Sequence, residues 1–277
     1  MATLTGTSAD DRLIGDESAD SILGLGGNDY LAGKEGADTI EAGSGNDTVY
    51  AGADNDYAIG GSGNDLIGLG EGNDYAFSDD TAGDLTGDDT VWGGAGSDTI
   101  IAGLGDDVVG GGAGLDFLIA GEGDDVLYGG TGTDYLYGQE DDDELFGGTG
   151  NDVVYGGDND DTLYGGEGND YLLGEAGDDL VWGSTGNDTL NGGTGADTFG
   201  FIEGSGIDRI NAFTVGPDAD VLDLSGFNLS GELADLIADG TVNDGGGANT
   251  TITIDADTTI TLIGVTENQL TEDNVIL

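Results

Sequence analysis

The chain has no cysteine, no histidine, one proline and only three basic residues, Arg12, Lys34 and Arg209. Without cysteine, disulfides do not hold the fold, although this leaves the compartment open. Without histidine there is no H-E-x-x-H zinc site and no histidine-based triad. Three bases against 58 acids give a net charge of −55, so the Lys/Arg contacts to phosphate on which nucleic-acid binding rests are missing. Anionic membranes are disfavoured for the same reason, and no apolar run is long enough to span a bilayer, so membrane insertion is not expected. The opening MATLTGTSAD has neither the basic region nor the apolar run of a secretory signal peptide.

What is abundant is acid and glycine. The 59 glycines make ordering the backbone costly, and a compact state at this charge repels itself. Yet 36% of the residues are hydrophobic, and they are regularly placed. An Asp recurs every nine residues at Asp11, Asp20, Asp29, Asp38, Asp47, Asp56, Asp65 and Asp74. After an acidic insertion at 78–88 the step resumes at Asp89 and continues through Asp98, Asp107, Asp116, Asp125, Asp134, Asp143, Asp152, Asp161, Asp170, Asp179, Asp188 and Asp197. In 19 of these 21 copies the residue two after the Asp is a large apolar one, Ala58 and Ala76 being the exceptions. The residue two before it is Gly in 16, and Asp54, Asp141 and Asn159 are three of the five exceptions. Asp and Asn tolerate left-handed backbone angles best after Gly, so the pattern demands a tight turn there.

A period of nine fits a six-residue turn, G-G-x-G-x-D, followed by a three-residue strand, x-U-x. Side chains alternate across a strand, so the apolar residue U faces inward. Two units make a coil of 18 residues, and stacked coils form parallel strands. About ten coils at ~4.8 Å would make a rod on the order of 50 Å long, each coil burying its face only against its neighbours. The expected class is all-β: a parallel β-roll solenoid over 10–200, an N-terminal cap at 1–9 and a small β-rich C-terminal domain at 201–277.

The units GGTGNDVVY (147–155), GGEGNDYLL (165–173) and AGSGNDTVY (42–50) resemble the RTX, or haemolysin-type, calcium-binding repeat, G-G-x-G-x-D-x-U-x. The resemblance covers roughly residues 10–200 and implies that the repeated Asp and the turn carbonyls bind Ca²⁺ between adjacent coils. The residues themselves agree. Ca²⁺ takes six to eight hard oxygen ligands, and carboxylates stacked ~4.8 Å apart repel unless a cation lies between them. One ion per adjacent pair in two columns of 11 and 10 Asp gives about 10 + 9 = 19 ions. These would carry about +38 and leave a net charge near −17, making metal binding and folding one event.

Beyond Phe199 the strict period ends. GSGIDRI (204–210) is a degenerate repeat carrying Asp208, and SGELADLIADG (230–240) reads as a short helix with Ser230 near its N-cap and Gly240 after its end. The stretch from 250 alternates apolar and polar residues as an antiparallel strand pair does. DVLDLSGF and the acidic NVIL terminus resemble the C-terminal secretion region of serralysin-like and other RTX proteins, although the phrase around Pro217 is less typical. That resemblance implies export by a type I secretion transporter to the exterior or surface of a Gram-negative-type bacterium. The same tail also reads as a cap that shields the last coil from edge pairing.

RTX repeats usually follow an effector, and here they begin near residue 10, so no enzymatic activity is expected. Neighbouring acids such as Asp141, Asp142 and Asp143 are assigned to calcium or solvent. The remaining information lies on the outward strand positions, which hold every Tyr and both Trp. Tyr128, Phe146, Tyr164 and Trp182, spaced by 18, predict a ladder on one face. Tyr135, Tyr137, Tyr155 and Tyr171 fall on the other. Aromatics stabilise cross-strand neighbours in any case, but strips of this size also mark contact surfaces. The expected function is a calcium-folded structural protein that self-associates, as a homo-oligomer or polymer, into a layer, filament or matrix. The alternative is a monomeric surface- or ligand-binding module for adhesion or ice, for which Thr131, Thr149 and Thr185 line one turn edge, interrupted by Glu167.

Overall fold

A computed structural model describes residues 2–79, 87–216, 219–227, 229, 233–239, 241–243 and 247–277. They form two compact units, Met1–Glu144 and Leu145–Leu277, and each is built as a parallel β-solenoid. Consecutive strands of the repeats alternate between two sheets, so each repeat strand pairs with the strand two repeats away. In the first unit Thr99 lies opposite Phe117, Ile100 opposite Leu118 and Ile101 opposite Ile119. In the second, Thr162–Glu167 lies beside Leu180–Thr185, and Tyr171–Ala176 beside Thr189–Thr194. The pairs are 18 residues apart, as the two-repeat coil requires.

The core lies between the two sheets of each unit. Leu163, Leu172, Val181 and Leu190 are wholly buried, as are the exceptional Ala58 and Ala76. Leu13, in the first coil, is half-buried because a coil follows it on one side only. The strands are longer than the three residues expected: most run for six, such as Thr162–Glu167. The reason is that half of each expected turn also joins the ladder. The N–H of Gly168, for example, donates to the Thr185 carbonyl at 2.9 Å. Two residues per strand therefore face inward, an apolar one and a small one, as Leu163 and Gly165 do.

The turns require left-handed backbone at two places, two and four residues before the Asp. Gly150 and Gly148 show it ahead of Asp152, with φ of 135° and 109°. At Gly168 a Cβ would in addition collide with the Gly150 carbonyl. Asp54, Asp141 and Asn159, the substitutes noticed in the sequence, all have φ between 75° and 81°. The second position was not anticipated. Leu25, Lys34, Gln139, Glu175 and Ser184 occupy it with φ from 71° to 99°.

The insertion was expected to be a solvated acidic loop over 78–88, of which 80–86 lies outside the described residues. Its first two residues are not solvated, while Asp88 at its other end is exposed. Ser78 and Asp79 finish the strand Tyr75–Asp79 and are buried, and Ser78 Oγ donates to the Ala102 carbonyl at 2.6 Å. The ladder continues in register past it, with Thr90 opposite Leu66.

In the C-terminal segment, Thr250–Thr253 and Thr258–Leu262 form the expected antiparallel pair, and Val242–Asn243 adds a third strand. The helix spans Leu233–Asp239; Pro217, Ser230 and Gly240 lie outside the described residues. Thr258–Leu262 also runs parallel to Gly206–Ile210, and Val275–Ile276 parallel to Val221–Asp223. The C-terminal edge of each sheet in the second unit thereby ends on a two-residue tail strand, which blunts it as a template for edge pairing. Among the described residues no helix is long and apolar enough to cross a membrane.

The inward column predicts a contrast between neighbours on one strand. Leu163→Ala should lower stability by about 2–5 kcal/mol through the lost burial and the cavity left, whereas Thr162→Ala, facing outward, should change it by less than about 0.5 kcal/mol. Denaturant unfolding in saturating calcium measures both.

Candidate metal centre

The repeated Asp closes each turn with its carboxylate pointing in. All of them from Asp20 to Asp197, and Asp208 beyond, are buried, at 3% exposure or less. One oxygen, Oδ1, accepts the N–H of the Asp one coil earlier. Asp47 donates to Asp65 at 2.7 Å, Asp65 to Asp89 at 2.7 Å, Asp170 to Asp188 at 2.9 Å and Asp188 to Asp208 at 2.9 Å. Asp134 and Asp143 end the first unit's columns, taking the amides of Asp116 and Asp125 at 2.9 Å each. Asp152 and Asp161 begin those of the second, donating to Asp170 and Asp179 at 2.8 and 2.9 Å.

The other oxygen defines the site. Oδ2 of every repeat Asp from Asp29 to Asp125, and from Asp170 to Asp208, is buried and meets no hydrogen-bond donor. It is crowded by a second acceptor. A Cβ placed on Gly165 would lie 2.5 Å from Asp170 Oδ2 and 2.8 Å from the carbonyl oxygen of Gly183, in the following coil. The same pairing recurs at Gly147, where Asp152 Oδ2 and the Gly165 carbonyl lie at 2.8 and 2.6 Å. Two oxygens without protons, converging where water does not reach, are unfavourable unless a cation joins them.

Burial has the electrostatic effect expected of this. Removal from water raises the carboxyl of Asp47 to about 6, Asp56 to about 7, and Asp65 and Asp188 to about 8, against an ordinary 3.8. The hydrogen bond to Oδ1 opposes the rise, and stacked Asp neighbours add to it.

The chain's ends differ. Asp11 Oδ2 accepts the Thr7 amide at 2.6 Å and the Thr7 hydroxyl at 2.8 Å, and Asp20 Oδ2 accepts the Asp16 amide at 2.8 Å. Asp20 is held below the ordinary range, chiefly by the amides of Ala2 and Asp16. Near the other end, Asp220 Oδ2 accepts the Thr214 amide at 2.7 Å, while its Oδ1 takes the Asp197 amide at 3.1 Å. Asp220 extends the column yet escaped sequence reading, because it follows Asp197 by 23 residues instead of 18.

The RTX calcium-binding nonapeptide repeat (4 copies) matches residues 5–40, 41–76, 78–118, 110–145, 137–172 and 164–199. The chain belongs to that family. Its repeats bind Ca²⁺, and proteins carrying them are typically extracellular or secreted. No curated protein matches the chain. Solved structures that resemble it include these two. A subunit of the mannuronan C5-epimerase of Azotobacter vinelandii is 31% identical over 47% of this chain and 80% of its own, with a TM-score of 0.38. A hyperactive, Ca²⁺-dependent, β-helical antifreeze protein from an Antarctic bacterium is 20% identical over 85% of this chain and 92% of its own, with a TM-score of 0.39.

The residues fit calcium. Among the described residues no group of three or more acidic side chains gathers at one point, so each turn offers one carboxylate and main-chain carbonyls, a hard, all-oxygen set that suits Ca²⁺ and disfavours softer metals. The orphaned Oδ2 atoms and the carbonyls beside them would hold the ion, which would supply the positive charge that the columns lack.

A second, exposed row lies outside the first, where Asn or Asp stands just before the repeat Asp. There the side chain accepts an amide from the coil that follows. Asn46 donates to Asn28 Oδ1 at 3.1 Å, Asp124 to Asp106 Oδ1 at 3.1 Å and Asn187 to Asn169 Oδ1 at 3.0 Å.

The outward aromatics also stack. In the second unit Phe146 and Tyr164 lie 5.0 Å apart and 3° from parallel, and Trp182 follows at 6.4 Å. In the first unit Tyr128 stacks on Trp92 at 6.4 Å, the Trp92 ring lying across the intervening Gly110. Trp92 was not placed in the ladder from sequence because a glycine occupies the rung between. On the other faces Phe117 packs on Tyr135 and Tyr137, and Tyr155 on Tyr171.

Chelation should therefore unfold the chain: with excess EDTA at pH 7.5 the far-UV circular dichroism should be that of a disordered polymer, and millimolar Ca²⁺ should restore the β signal. The raised carboxyls set the pH response without metal. Folded groups hold protons more tightly than unfolded ones, so protonation favours the metal-free roll. That support is complete below about 3.8 and is lost as pH rises through 6 to 8. In EDTA, β-structure should be greater at pH 4.5 than at pH 8; equal spectra would contradict it.

Proposed function

We propose that this is a secreted structural protein that leaves the cell unfolded through a type I transporter, folds on extracellular Ca²⁺ and self-associates into a layer, filament or matrix. The observation that carries the reading is the pair of outward aromatic strips. Trp92 and Tyr128 stay 46% and 40% exposed despite their stacking. Beside the inward aliphatic residue charges are nearly absent, Arg12, Glu41 and Glu144 being the exceptions, and Lys34 and Glu175 stand exposed further along their strands. Apolar strips flanked by acidic turn edges match the layout of protein contact surfaces, with an apolar centre and a charged rim. Calcium held at the edges would lower the charge that otherwise keeps copies apart.

Export follows from the same chemistry. A chain whose folding waits on calcium stays threadable where the ion is scarce and compacts where it is plentiful. Nothing in the site calls for catalysis, since its acids are buried under main-chain donors and its role is to hold an ion.

The test replaces Tyr128, Phe146, Tyr164 and Trp182 together by Ser and follows mass by light scattering in calcium. The native chain should assemble, while the variant should keep its β signal and remain a monomer. Assembly that survives the change would remove these residues from the interface. A native chain that stays monomeric and inhibits ice recrystallisation would instead favour the surface-binding alternative.

A further inference from the structure

The first two turns break the pattern on which calcium binding rests. In the turns from Asp29 to Asp208, that of Asp89 apart, left-handed residues stand two and four positions before the Asp, as Gly61 and Gly63 do ahead of Asp65 with φ of 120° and 111°. Ahead of Asp11 these positions hold Thr7 and Ala9, and ahead of Asp20 they hold Asp16 and Ser18. None of the four has a positive φ.

The conformational difference adds donors to a carboxylate that still stands beside a carbonyl of the next coil, since a Cβ placed on Gly15 would lie 2.5 Å from Asp20 Oδ2 and 2.7 Å from the Gly33 carbonyl oxygen. With Thr7 and Asp16 out of the left-handed region, their N–H groups point at Oδ2 and donate to it at 2.6 and 2.8 Å. In the glycine-type turns from Asp29 to Asp125 the same oxygen meets no donor. Ser18 tightens its turn further, its N–H and hydroxyl donating to Asp16 Oδ1 at 3.0 and 2.6 Å.

Positive charge is supplied from the chain as well. Lys34, left-handed at φ 96°, folds back so that its ammonium donates to the Gly15 carbonyl, in the turn of Asp20, at 2.7 Å. Arg12 lies 4.8 Å from the Tyr30 ring centre in the same coils. Two of the three bases of the whole chain thus sit here. A lysine is costly at a left-handed position, and an ammonium placed on a turn carbonyl offsets that cost by doing locally what a bound cation does elsewhere.

We infer that the turns of Asp11 and Asp20 take no calcium, and that amide donors together with the Lys34 ammonium close the first coil in the ion's place. The metal columns of the first unit then begin at Asp29 and Asp38. The N-terminal coil is a metal-independent end plate: it presents a finished surface to the first calcium-bearing coil without waiting for an ion. In the second unit Asp220 Oδ2 also meets an amide, that of Thr214, although there the donor stands six residues before the Asp and Gly216, four before it, stays left-handed.

The test counts and places ions in the calcium-loaded chain. An anomalous difference map should show calcium beside the repeat Asp from Asp29 onward and none beside Asp11 or Asp20. By plasma mass spectrometry after removal of free ion, Asp20→Asn should bind as many ions as the native chain, whereas Asp65→Asn should lose at least one. Asp16→Gly with Ser18→Gly, which restores the two left-handed positions, should gain one. A calcium peak in the turn of Asp20, or an ion lost in Asp20→Asn, overturns the inference. An unchanged count in the double glycine variant overturns the role given to backbone conformation. The map on the native chain decides the matter even where a variant does not fold.

Discussion

The whole structure turns on one conflict: a carboxylate oxygen that is buried, charged and given no proton to accept. Each repeat resolves half of it internally, since Oδ1 takes an amide from the coil before. The other half stays open in turn after turn, and at neutral pH a cation satisfies it. Glycine, the nine-residue period and the inward aliphatic column all serve to place that oxygen beside a main-chain carbonyl of the next coil. The extreme acidity of the chain is thus a property of its apo state, and the folded form is a composite of polypeptide and metal.

Much of this was legible in the sequence because the period leaves little freedom. Once Asp and an aliphatic residue recur at fixed distance, the alternation of a strand dictates which faces inward, and Leu163, Val181 and Leu190 are where that argument puts them. Asp54, Asp141 and Asn159 could be read as left-handed because their side chains are the ones that tolerate it. Leu25, Lys34, Gln139, Glu175 and Ser184 could not, since their chemistry gives no such hint and only the surrounding ladder forces them there.

What escaped reading involved departures from the period. Asp220 joins a column after a step of 23 residues because intervening residues loop out before the chain returns to register. Ser78 and Asp79 sit in a stretch that looks like a solvated insertion, yet the strand runs on through them. Trp92 and Tyr128 meet across Gly110, a contact that a search for neighbours one coil apart passes over. The first two turns keep the Asp and lose the glycines, and only the hydrogen bonds show that the carboxylate there has a different partner.

The inner and outer rows of side chains carry hydrogen bonds of opposite sense. On the inside an amide of one coil reaches forward to a carboxylate of the next. On the outside an amide of the later coil reaches back to Asn or Asp of the earlier one. Within each unit neighbouring coils are therefore clasped from both directions, with no grain along the axis. Parting two such coils from either side must break hydrogen bonds of both senses.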